Sequence, residues 1–283
     1  MTNAGTAFGC PRDFLQNRFV YAVISPRAHG LSIGVNLNPD QRCNFDCAYC
    51  EVDRRAPATP DATLDCEVIA AELEATLALV KDGELRHRAP YARLPPELLA
   101  LRHVALSGDG EPTLCPQFLE AVETVIHVRA KNAGAFFKIV LITNASNLDA
   151  PDVQRGIGRL TRRDEIWAKL EAGTQAGLNR LNHADVPLEK ILSNILLIAR
   201  QRPVIIQSLF PSLGGVAPAG EEIEQYALRL KELREAGAQI PLVQIYSATR
   251  PTPHPEVGHL PLQTLSQIAR TVRRVAGLSA EVF

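Results

Sequence analysis

Three of the six cysteines in the chain lie within eight positions, as Cys43-x-x-x-Cys47-x-x-Cys50 in the segment RCNFDCAYC. Thiolate sulfurs bind zinc and iron–sulfur clusters, and three of them are one short of a complete four-ligand set. One interpretation is a structural zinc ion completed by a histidine or a distant cysteine. The other is a cubane cluster that keeps one iron without a protein ligand and therefore available to a substrate or cofactor. The spacing is not that of a usual zinc knuckle, which has two pairs of ligands.

The segments around these cysteines alternate between short apolar runs and longer amphipathic ones. LSIGVNLNP, residues 31–39, has a period of two and predicts a strand, whereas the stripe from Cys66 to Val80 predicts a helix capped by Asp65. Further strands are expected at 103–108, 136–144, 165–172, 204–210 and 242–248, with a possible short strand at 279–283. Further helices are expected at 116–130, 152–160, 187–200, 221–235 and 261–275.

This alternation predicts an α/β fold with parallel strands and helical crossovers. Six strand–helix units with right-handed crossovers favour a partial (β/α)6 TIM-like barrel, with a flat doubly wound sheet as the alternative. We expect one domain over residues 1–283. Within it we expect an N-terminal extension (1–30), a surface insertion (81–102) and a C-terminal helix and tail (254–283).

Composition sets the broad class of the protein. The 283 residues are 46% hydrophobic and 22% charged, which is typical of a globular protein, and the formal net charge is -1. This balance gives no general electrostatic reason to bind nucleic acid or a membrane. The start of the chain resembles no signal peptide and no run is long enough to span a bilayer, so we expect a cytoplasmic protein without membrane partners.

Polar motifs follow several of the predicted strands, and ligands of parallel α/β folds lie at the carboxyl ends of strands. The cysteine segment follows the first strand, SGDGEPTL (107–114) follows the second, and TNAS (143–146) follows the third. KLEAG (169–173) and YSATRPTP (246–253) follow later strands. We therefore expect one ligand site at this end of the strands.

RCNFDCAYC and SGDGEPTL together resemble the cluster loop and the glycine-rich motif of the radical S-adenosylmethionine (radical SAM) superfamily. Over residues 31–253 the motifs are similar to the branch that includes wybutosine-synthesis-like and pyruvate formate-lyase-activating-enzyme-like proteins. The resemblance implies that Cys43, Cys47 and Cys50 bind one [4Fe-4S] cluster, whose fourth iron is chelated by the amine and carboxylate of S-adenosyl-L-methionine (SAM).

The resemblance also implies a set of residues that contact SAM: Tyr49, Gly108, Asp109, Gly110, Glu111, Asn144, Lys169 and Glu171. Relatives often have Asp where this chain has Glu171. Lys169 and Glu171 alternate on one strand face, so a buried ion pair is an equally good interpretation. Arg250 is either a ligand of an anionic group or a surface arginine.

The other cysteines, Cys10, Cys66 and Cys115, are isolated, and none occurs after residue 115. We therefore expect one cluster and interpret these three as small apolar side chains.

By resemblance, the expected function is reductive cleavage of SAM to a 5'-deoxyadenosyl radical that abstracts hydrogen from a substrate. The electron donor would be a flavodoxin or a ferredoxin. The substrate is left open between a small molecule, a protein and an RNA. Alternatives are an activase that installs a glycyl radical on a partner enzyme, a tRNA-modifying enzyme, and a noncatalytic metal-stabilised binding protein.

Overall fold

The chain folds into two compact units that are interleaved along the sequence. The computed structural model describes residues 7–9, 14–54, 63–132 and 136–283, so that Cys10 lies outside the described residues. The first unit consists of Met1–Arg42, Thr59–Leu141 and Pro151–Asp164, and the second of Cys43–Ala58, Ile142–Ala150 and Glu165–Phe283. The expectation of a single domain over 1–283 stays a prediction.

The first unit is built on four neighbouring strands, β1 to β4. They are β1 (Val20–Ser25), β2 (Gly30–Val35), β3 (Leu101–Leu106) and β4 (Lys138–Thr143), of which the last two residues of β4 belong to the second unit. β1 is antiparallel to β2, whereas β2, β3 and β4 are parallel to one another. β1 lies in the expected extension 1–30 and was not predicted, because its sequence, VYAVIS, is apolar almost throughout and shows no alternation of apolar and polar residues.

Three helices belong to the first unit. They are α1 (Cys66–Lys81), α2 (Phe118–Lys131) and α3 (Pro151–Arg159). The predicted cap of α1 is confirmed, because the Asp65 carboxylate accepts hydrogen bonds from the N–H groups of Glu67 and Val68. The apolar stripe of α1 is buried, as its spacing predicted.

Most residues of the segment 81–102 are exposed, but two of its side chains are buried. It contains three short 3-10 helices, Glu84–His87, Tyr91–Arg93 and Pro96–Leu99. Leu85 and Tyr91 are only 2% and 1% exposed, and the Tyr91 hydroxyl donates a 2.6 Å hydrogen bond to the carbonyl of Ala22 in β1. The prolines and charges of this segment predicted its loops. The burial of Leu85 and Tyr91 depends on β1, a strand that the sequence did not predict.

The second unit contains six strands and four helices. The strands are β5 (Glu165–Lys169), β6 (Ile205–Leu209), β7 (Ser212–Leu213), β8 (Val243–Tyr246), β9 (Val257–Gly258) and β10 (Ala280–Val282). The helices are α4 (Gln175–Asn182), α5 (Leu188–Ala199), α6 (Gly220–Glu235) and α7 (Leu262–Ala276). β5, β6, β8 and β10 are neighbours in that order and pair in parallel, whereas β7 and β9 form a separate antiparallel pair.

Helix α4 was not predicted. Its sequence, QAGLNRLN, has eight residues of which only Leu178, Leu181 and Asn182 are buried, so its apolar periodicity is too short to recognise. Every predicted helix is present, and every predicted strand is present within a few residues, including the short strand β10.

The fold class is confirmed as an α/β fold of the partial TIM-like barrel type. The strands that precede each crossover helix are parallel, and β1 is the antiparallel exception in the main sheet. In the described ranges, no helix is both long and apolar enough to cross a membrane.

Candidate metal and cofactor site

The cysteine loop is anchored to the carboxyl-terminal end of α4, within the second unit. The N–H groups of Asp46 and Ala48 donate to the carbonyl oxygens of Asn182 and Leu181, at 3.1 and 2.9 Å. The last carbonyls of a helix have no partner within the helix, so they are natural acceptors for a loop that crosses its end. Further along, the Thr252 hydroxyl donates to the Ala48 carbonyl at 3.0 Å. The unpredicted helix α4 therefore holds the predicted ligand loop.

Each of the three clustered sulfurs accepts a hydrogen bond from a nitrogen. Cys43 Sγ accepts from the N–H of Phe45 at 3.4 Å, Cys47 Sγ from Asn182 Nδ2 at 3.3 Å, and Cys50 Sγ from the guanidinium of Arg54 at 3.8 Å. Donors of this kind stabilise a thiolate more than a neutral thiol. Among the described residues, no group of three or more His, Cys, Asp or Glu side chains is arranged to hold a metal ion.

The surroundings of Cys47 disfavour a free thiolate. Burial raises the pKa of Cys47 to about 12, and the nearby Glu171 carboxylate adds to this effect. Lys169 and the hydrogen bonds from Asn182 and Tyr49 act in the opposite direction but are weaker. A thiol that binds a metal loses its proton. The positive charge of the metal would therefore stabilise the Cys47 thiolate, which burial alone disfavours.

Lys169 and Glu171 form an ion pair, as one of the two interpretations of their spacing predicted. Lys169 Nζ lies 2.8 Å from Glu171 Oε1, and the Glu171 side chain is only 3% exposed. Tyr49 donates to the same oxygen at 2.7 Å, and Lys169 Nζ lies 4.7 Å from the centre of the Tyr49 ring. Asn182 Nδ2 donates to Glu171 Oε2 at 2.7 Å. Both carboxylate oxygens are therefore held by side chains of the second unit.

Lys169 and Tyr49 do not change their protonation states near neutral pH. Burial alone would lower the pKa of Lys169, but the adjacent Glu171 carboxylate, together with Tyr246 and Cys47, raises it above its ordinary value. Burial raises the pKa of Tyr49, and the negative charges of Cys47 and Glu171 raise it again. At neutral pH Lys169 is therefore a cation and Tyr49 a neutral hydrogen-bond donor.

Asn144, which was predicted to contact SAM, supports the cysteine loop. Its Nδ2 donates to Asn44 Oδ1 at 2.9 Å and lies 4.0 Å from Cys43 Sγ. Asn44 in turn donates to the hydroxyl of Ser146 at 2.9 Å. The TNAS turn is itself held by Asn194, whose Nδ2 donates to the carbonyls of Ala145 and Ser146. A contact between Asn144 and SAM stays a prediction.

The glycine-rich motif, Gly108 to Glu111, lies in the first unit and packs tightly on the residues that follow β2. A Cβ atom on Gly108 would lie 2.2 Å from Asn36 Oδ1, and one on Gly110 would lie 2.1 Å from the carbonyl oxygen of Arg42. No ordinary Cβ approaches another atom so closely. These glycines therefore permit close packing of the motif against its own unit.

The two acidic residues of the motif have local partners. Asp109 Oδ2 accepts from Asn36 Nδ2 at 2.7 Å, and Glu111 Oε1 accepts from both the N–H and the hydroxyl of Thr113. Asn38 Oδ1, close to Gly110, is buried and has no hydrogen-bond partner in the described part of the chain. The role of Gly108, Asp109, Gly110 and Glu111 toward SAM stays a prediction.

A cavity of about 560 Å³ lies within the second unit and includes Glu171 in its wall. Its lining is mainly apolar, with Phe210, Leu213 and Ile223 among the larger side chains. The first turns of α4 and α6 also contribute, through Gly177 and Glu221. Ligand pockets typically measure 300–1,000 Å³ and combine apolar walls with a few polar groups, which this cavity does.

The remaining candidates are Arg250, Cys66 and Cys115. Arg250 pairs with Glu51 at 2.8 Å, at the edge of the cysteine loop. Cys66 is half-buried at the start of α1 and Cys115 is buried beyond the glycine motif, both in the first unit. Burial raises the pKa of Cys115 to about 11, which is expected of a small apolar side chain.

Sequence reasoning missed several asparagines: Asn44, Asn182 and Asn194 around the cysteine loop of the second unit, and Asn36 beside the glycine-rich motif of the first unit. Asn36 lies on the polar face of the predicted strand 31–39, and Asn44 lies between two of the clustered cysteines, which are the available signals. Asn182 lies in an unpredicted helix, 135 positions from Cys47, and nothing local connects the two.

The sequence matches no family model. It is 28% identical over 178 residues to a UPF0026 protein of Helicobacter pylori strain J99, which covers 62% of this chain. The match covers 49% of the relative, so the chain spans about half the length of that protein.

Among solved structures, the chain is similar to TYW1 with a lysine–pyruvate adduct bound, with a TM-score of 0.58 and 16% identity, over 90% of this chain and 84% of TYW1. It is also similar to SuiB of Streptococcus suis bound to S-adenosylmethionine, with a TM-score of 0.57 and 14% identity, over 90% of this chain and 51% of SuiB. At these identities the similarity concerns the fold. The chain has the fold of radical SAM enzymes, which confirms the resemblance at that level.

Proposed function

We propose that this protein is a radical SAM enzyme that binds one [4Fe-4S] cluster through Cys43, Cys47 and Cys50 and cleaves SAM reductively. The observation that carries the proposal is the cysteine loop itself, in which every sulfur accepts a nitrogen hydrogen bond. The loop belongs to a fold that this chain shares with SuiB, whose structure contains bound S-adenosylmethionine.

The donor set fits a cluster better than a mononuclear zinc ion. Zinc needs its ligands gathered around one point, with Zn–S bonds of about 2.3 Å, and usually takes four protein ligands in a structural site. Within the ranges that the structure describes, no group of three or more His, Cys, Asp or Glu side chains is arranged around a single metal ion. In a cubane each cysteine binds a different iron, so its thiolates are spread more widely.

The cavity beside Glu171 fits a cofactor of the size of SAM. Its volume of about 560 Å³ lies in the usual range for small-molecule sites, and its apolar walls suit an adenine ring. Glu171 already accepts three hydrogen bonds or ion-pair contacts, so its carboxylate is fixed in place before any ligand arrives. A fixed carboxylate is a suitable acceptor for ribose hydroxyls.

A cluster held by the three cysteines would supply the one electron needed to cleave SAM into methionine and a 5'-deoxyadenosyl radical. The protein contributes position and shielding. Asn182 and Arg54 hold the ligand sulfurs, and the Tyr49–Glu171–Lys169 network holds one wall of the cavity. The apolar side chains of the lining, among them Phe210 and Ile223, would limit the water around a reactive species and so protect it from side reactions.

We further propose that a flavodoxin or ferredoxin supplies the electron and that the protein works in the reducing cytoplasm, where thiols and clusters persist. The substrate is proposed no further than a molecule with an abstractable hydrogen. Installation of a glycyl radical on a partner and modification of a tRNA both fall within that description.

Anaerobic reconstitution tests the first half of this proposal. The wild-type protein should bind about four irons and four sulfides per chain, as a cubane requires. Cys47→Ala should bind far less, whereas Cys66→Ala is the matched control and should bind the wild-type amount. Stoichiometric zinc without sulfide would reject the enzyme and favour a noncatalytic metal-stabilised protein.

Reaction with SAM tests the second half. The reconstituted wild-type protein, reduced with dithionite, should convert SAM to 5'-deoxyadenosine and methionine, and Cys66→Ala should do the same. Cys47→Ala should give none above the blank. An intact cluster that leaves SAM unchanged, after binding of SAM has been demonstrated, would contradict the proposed activity.

A further inference from the structure

The side chain of Asn182 lies where the cysteine loop meets the Lys169–Glu171 pair. Asn182 is the last residue of α4 and is completely buried. Its Nδ2 lies 3.3 Å from Cys47 Sγ, 3.2 Å from the Tyr49 hydroxyl and 2.7 Å from Glu171 Oε2. Its backbone carbonyl accepts the N–H of Asp46, so the residue holds the loop at two points.

Three acceptors surround an amide that has two hydrogens to donate. The Tyr49 hydroxyl is a neutral acceptor and already donates its own proton to Glu171. The Glu171 carboxylate and a Cys47 thiolate are charged, and hydrogen bonds to charged acceptors are about twice as strong as neutral ones. The two hydrogens of Asn182 therefore belong to Glu171 and to the sulfur once Cys47 is a metal ligand.

The orientation of the amide is determined by these neighbours. Asn182 Oδ1 is buried and has no hydrogen-bond partner among the residues that the structure describes. A buried acceptor without a partner lowers stability. The reversed amide would point that oxygen at the Glu171 carboxylate and at the sulfur, where repulsion is greater. The fold thus keeps the donor toward Cys47 at some cost.

We propose that Asn182 is a positioning residue for the cluster. Through its Nδ2–H it holds the Cys47 ligand sulfur and raises the reduction potential of the cluster, and the same amide links that sulfur to Glu171 in the cavity wall. The inference rests on the proposed function. Its physical basis is that the reduced cluster carries one more negative charge, which the positive end of an N–H dipole stabilises more strongly.

Two substitutions and a matched control test the inference in the reconstituted full-length protein without SAM. Asn182→Ala removes the donor, and Asn182→Asp replaces it with a carboxylate of nearly the same size. Asn179→Asp makes the same chemical change three residues earlier on α4, at an exposed side chain that accepts from Gln175. The measured quantity is the midpoint potential of the cluster, from a redox titration followed by electron paramagnetic resonance.

We expect the potential to fall in Asn182→Ala and to fall further in Asn182→Asp, with Asn179→Asp unchanged. For Asn182→Asp the expected loss in the reduced-to-oxidised ratio, at a fixed solution potential, is on the order of tenfold, or about 59 mV for a one-electron couple. Wild-type potentials in both Asn182 variants, with full iron content, would overturn the inference.

A measurement on the wild-type protein applies if the variants do not fold, as judged by thermal unfolding of the apo forms. The protein is produced with asparagine that carries ¹⁵N in its side-chain amide. Pulsed electron paramagnetic resonance of the reduced cluster then detects the amide nitrogens that are hydrogen-bonded to the cluster's cysteine sulfurs. Asn144 Nδ2 also lies 4.0 Å from Cys43 Sγ, so the same spectrum of Asn144→Ala shows how much of the ¹⁵N coupling comes from Asn144. A remaining ¹⁵N coupling supports the inference, and its absence overturns it.

Failure of this inference is distinct from failure of the proposed function. If the wild-type protein forms no iron–sulfur cluster, the proposed function fails and the iron count shows it. If the wild-type protein forms the cluster and cleaves SAM, but neither potential nor ¹⁵N coupling depends on Asn182, the inference alone fails.

Discussion

Substitution of Gly110 by alanine tests whether close packing of the glycine-rich motif supports the first unit. The added Cβ would lie 2.1 Å from the Arg42 carbonyl oxygen, 2.6 Å from Asn38 Cβ and 2.8 Å from the Arg42 carbonyl carbon. These distances fall short of the ordinary separation of about 3.5 Å by roughly 1 Å. The obstructing atoms belong to backbone or to a Cβ, so no side-chain rotation relieves the overlap.

The expected cost follows from what must move. Overpacking of this kind costs about 1–3 kcal/mol. Displacement of Arg42 also weakens its 3.0 Å hydrogen bond from the N–H of Glu111, for about 0.5–1.5 kcal/mol. We therefore expect Gly110→Ala to lower the free energy of unfolding by about 2–4 kcal/mol. Arg42 immediately precedes Cys43, so iron content after reconstitution should fall as well.

The assay is urea unfolding of the apo protein under reducing conditions, followed by circular dichroism. Gly158→Ala is the matched control, because an added Cβ on that α3 residue has no atom within 4 Å. Alanine is the better helix former by up to about 1 kcal/mol, so this variant should be unchanged or slightly more stable. Both glycines lie in the first unit. Equal stability of the two variants would refute the packing argument.

Three further predictions concern buried polar groups. Burial alone would raise the pKa of Asp164, but hydrogen bonds from Arg129 and from backbone N–H groups lower it. This carboxylate therefore stabilises the folded protein at pH values above its ordinary pKa of about 3.9, and this stabilisation is lost as the pH falls. Arg129→Met should cost about 3–5 kcal/mol at pH 7 and much less at pH 3, by urea unfolding; a pH-independent cost would contradict the ion pair at 2.6 Å. Glu171→Gln leaves Lys169 buried without the carboxylate that lies 2.8 Å from its Nζ. This change should lower the free energy of unfolding by roughly 3 kcal/mol and should weaken SAM binding measured by calorimetry. If neither value changes, the proposed role of the network is wrong. Tyr91→Phe should cost about 1–2 kcal/mol in thermal unfolding, because it removes the buried hydrogen bond to β1, and no change would mean that water replaces the hydroxyl.

Much of the fold was predictable because its signals are local. The Asp65 cap, the stripe of α1 and the alternation of β2 each depend on residues within one element. β1 and α4 escaped prediction for opposite reasons. The sequence of β1, VYAVIS, is apolar almost throughout and so has no period of two, whereas α4 is too short and too polar to show a period near 3.6.

The candidate site divides in the same way. Cys43, Cys47 and Cys50 stand out from their spacing, because metal ligands in one loop are close in sequence as well as in space, and their role as cluster ligands stays a prediction. The spacing of Lys169 and Glu171 placed them on one strand face but left two interpretations, and the tertiary structure shows the ion pair, with a third partner in Tyr49. Whether that pair also contacts SAM stays a prediction.

What the sequence by itself provided is the cluster of three thiols, the order of most strands and helices, and the class of chemistry that three clustered thiols allow. What only the tertiary structure decided is which distant groups surround those thiols. Asn182 lies 135 positions from Cys47, and the burial that raises the pKa of that thiol comes from elements that are remote in the chain. Hydrogen bonding and desolvation depend on distance in space, which sequence periodicity does not encode.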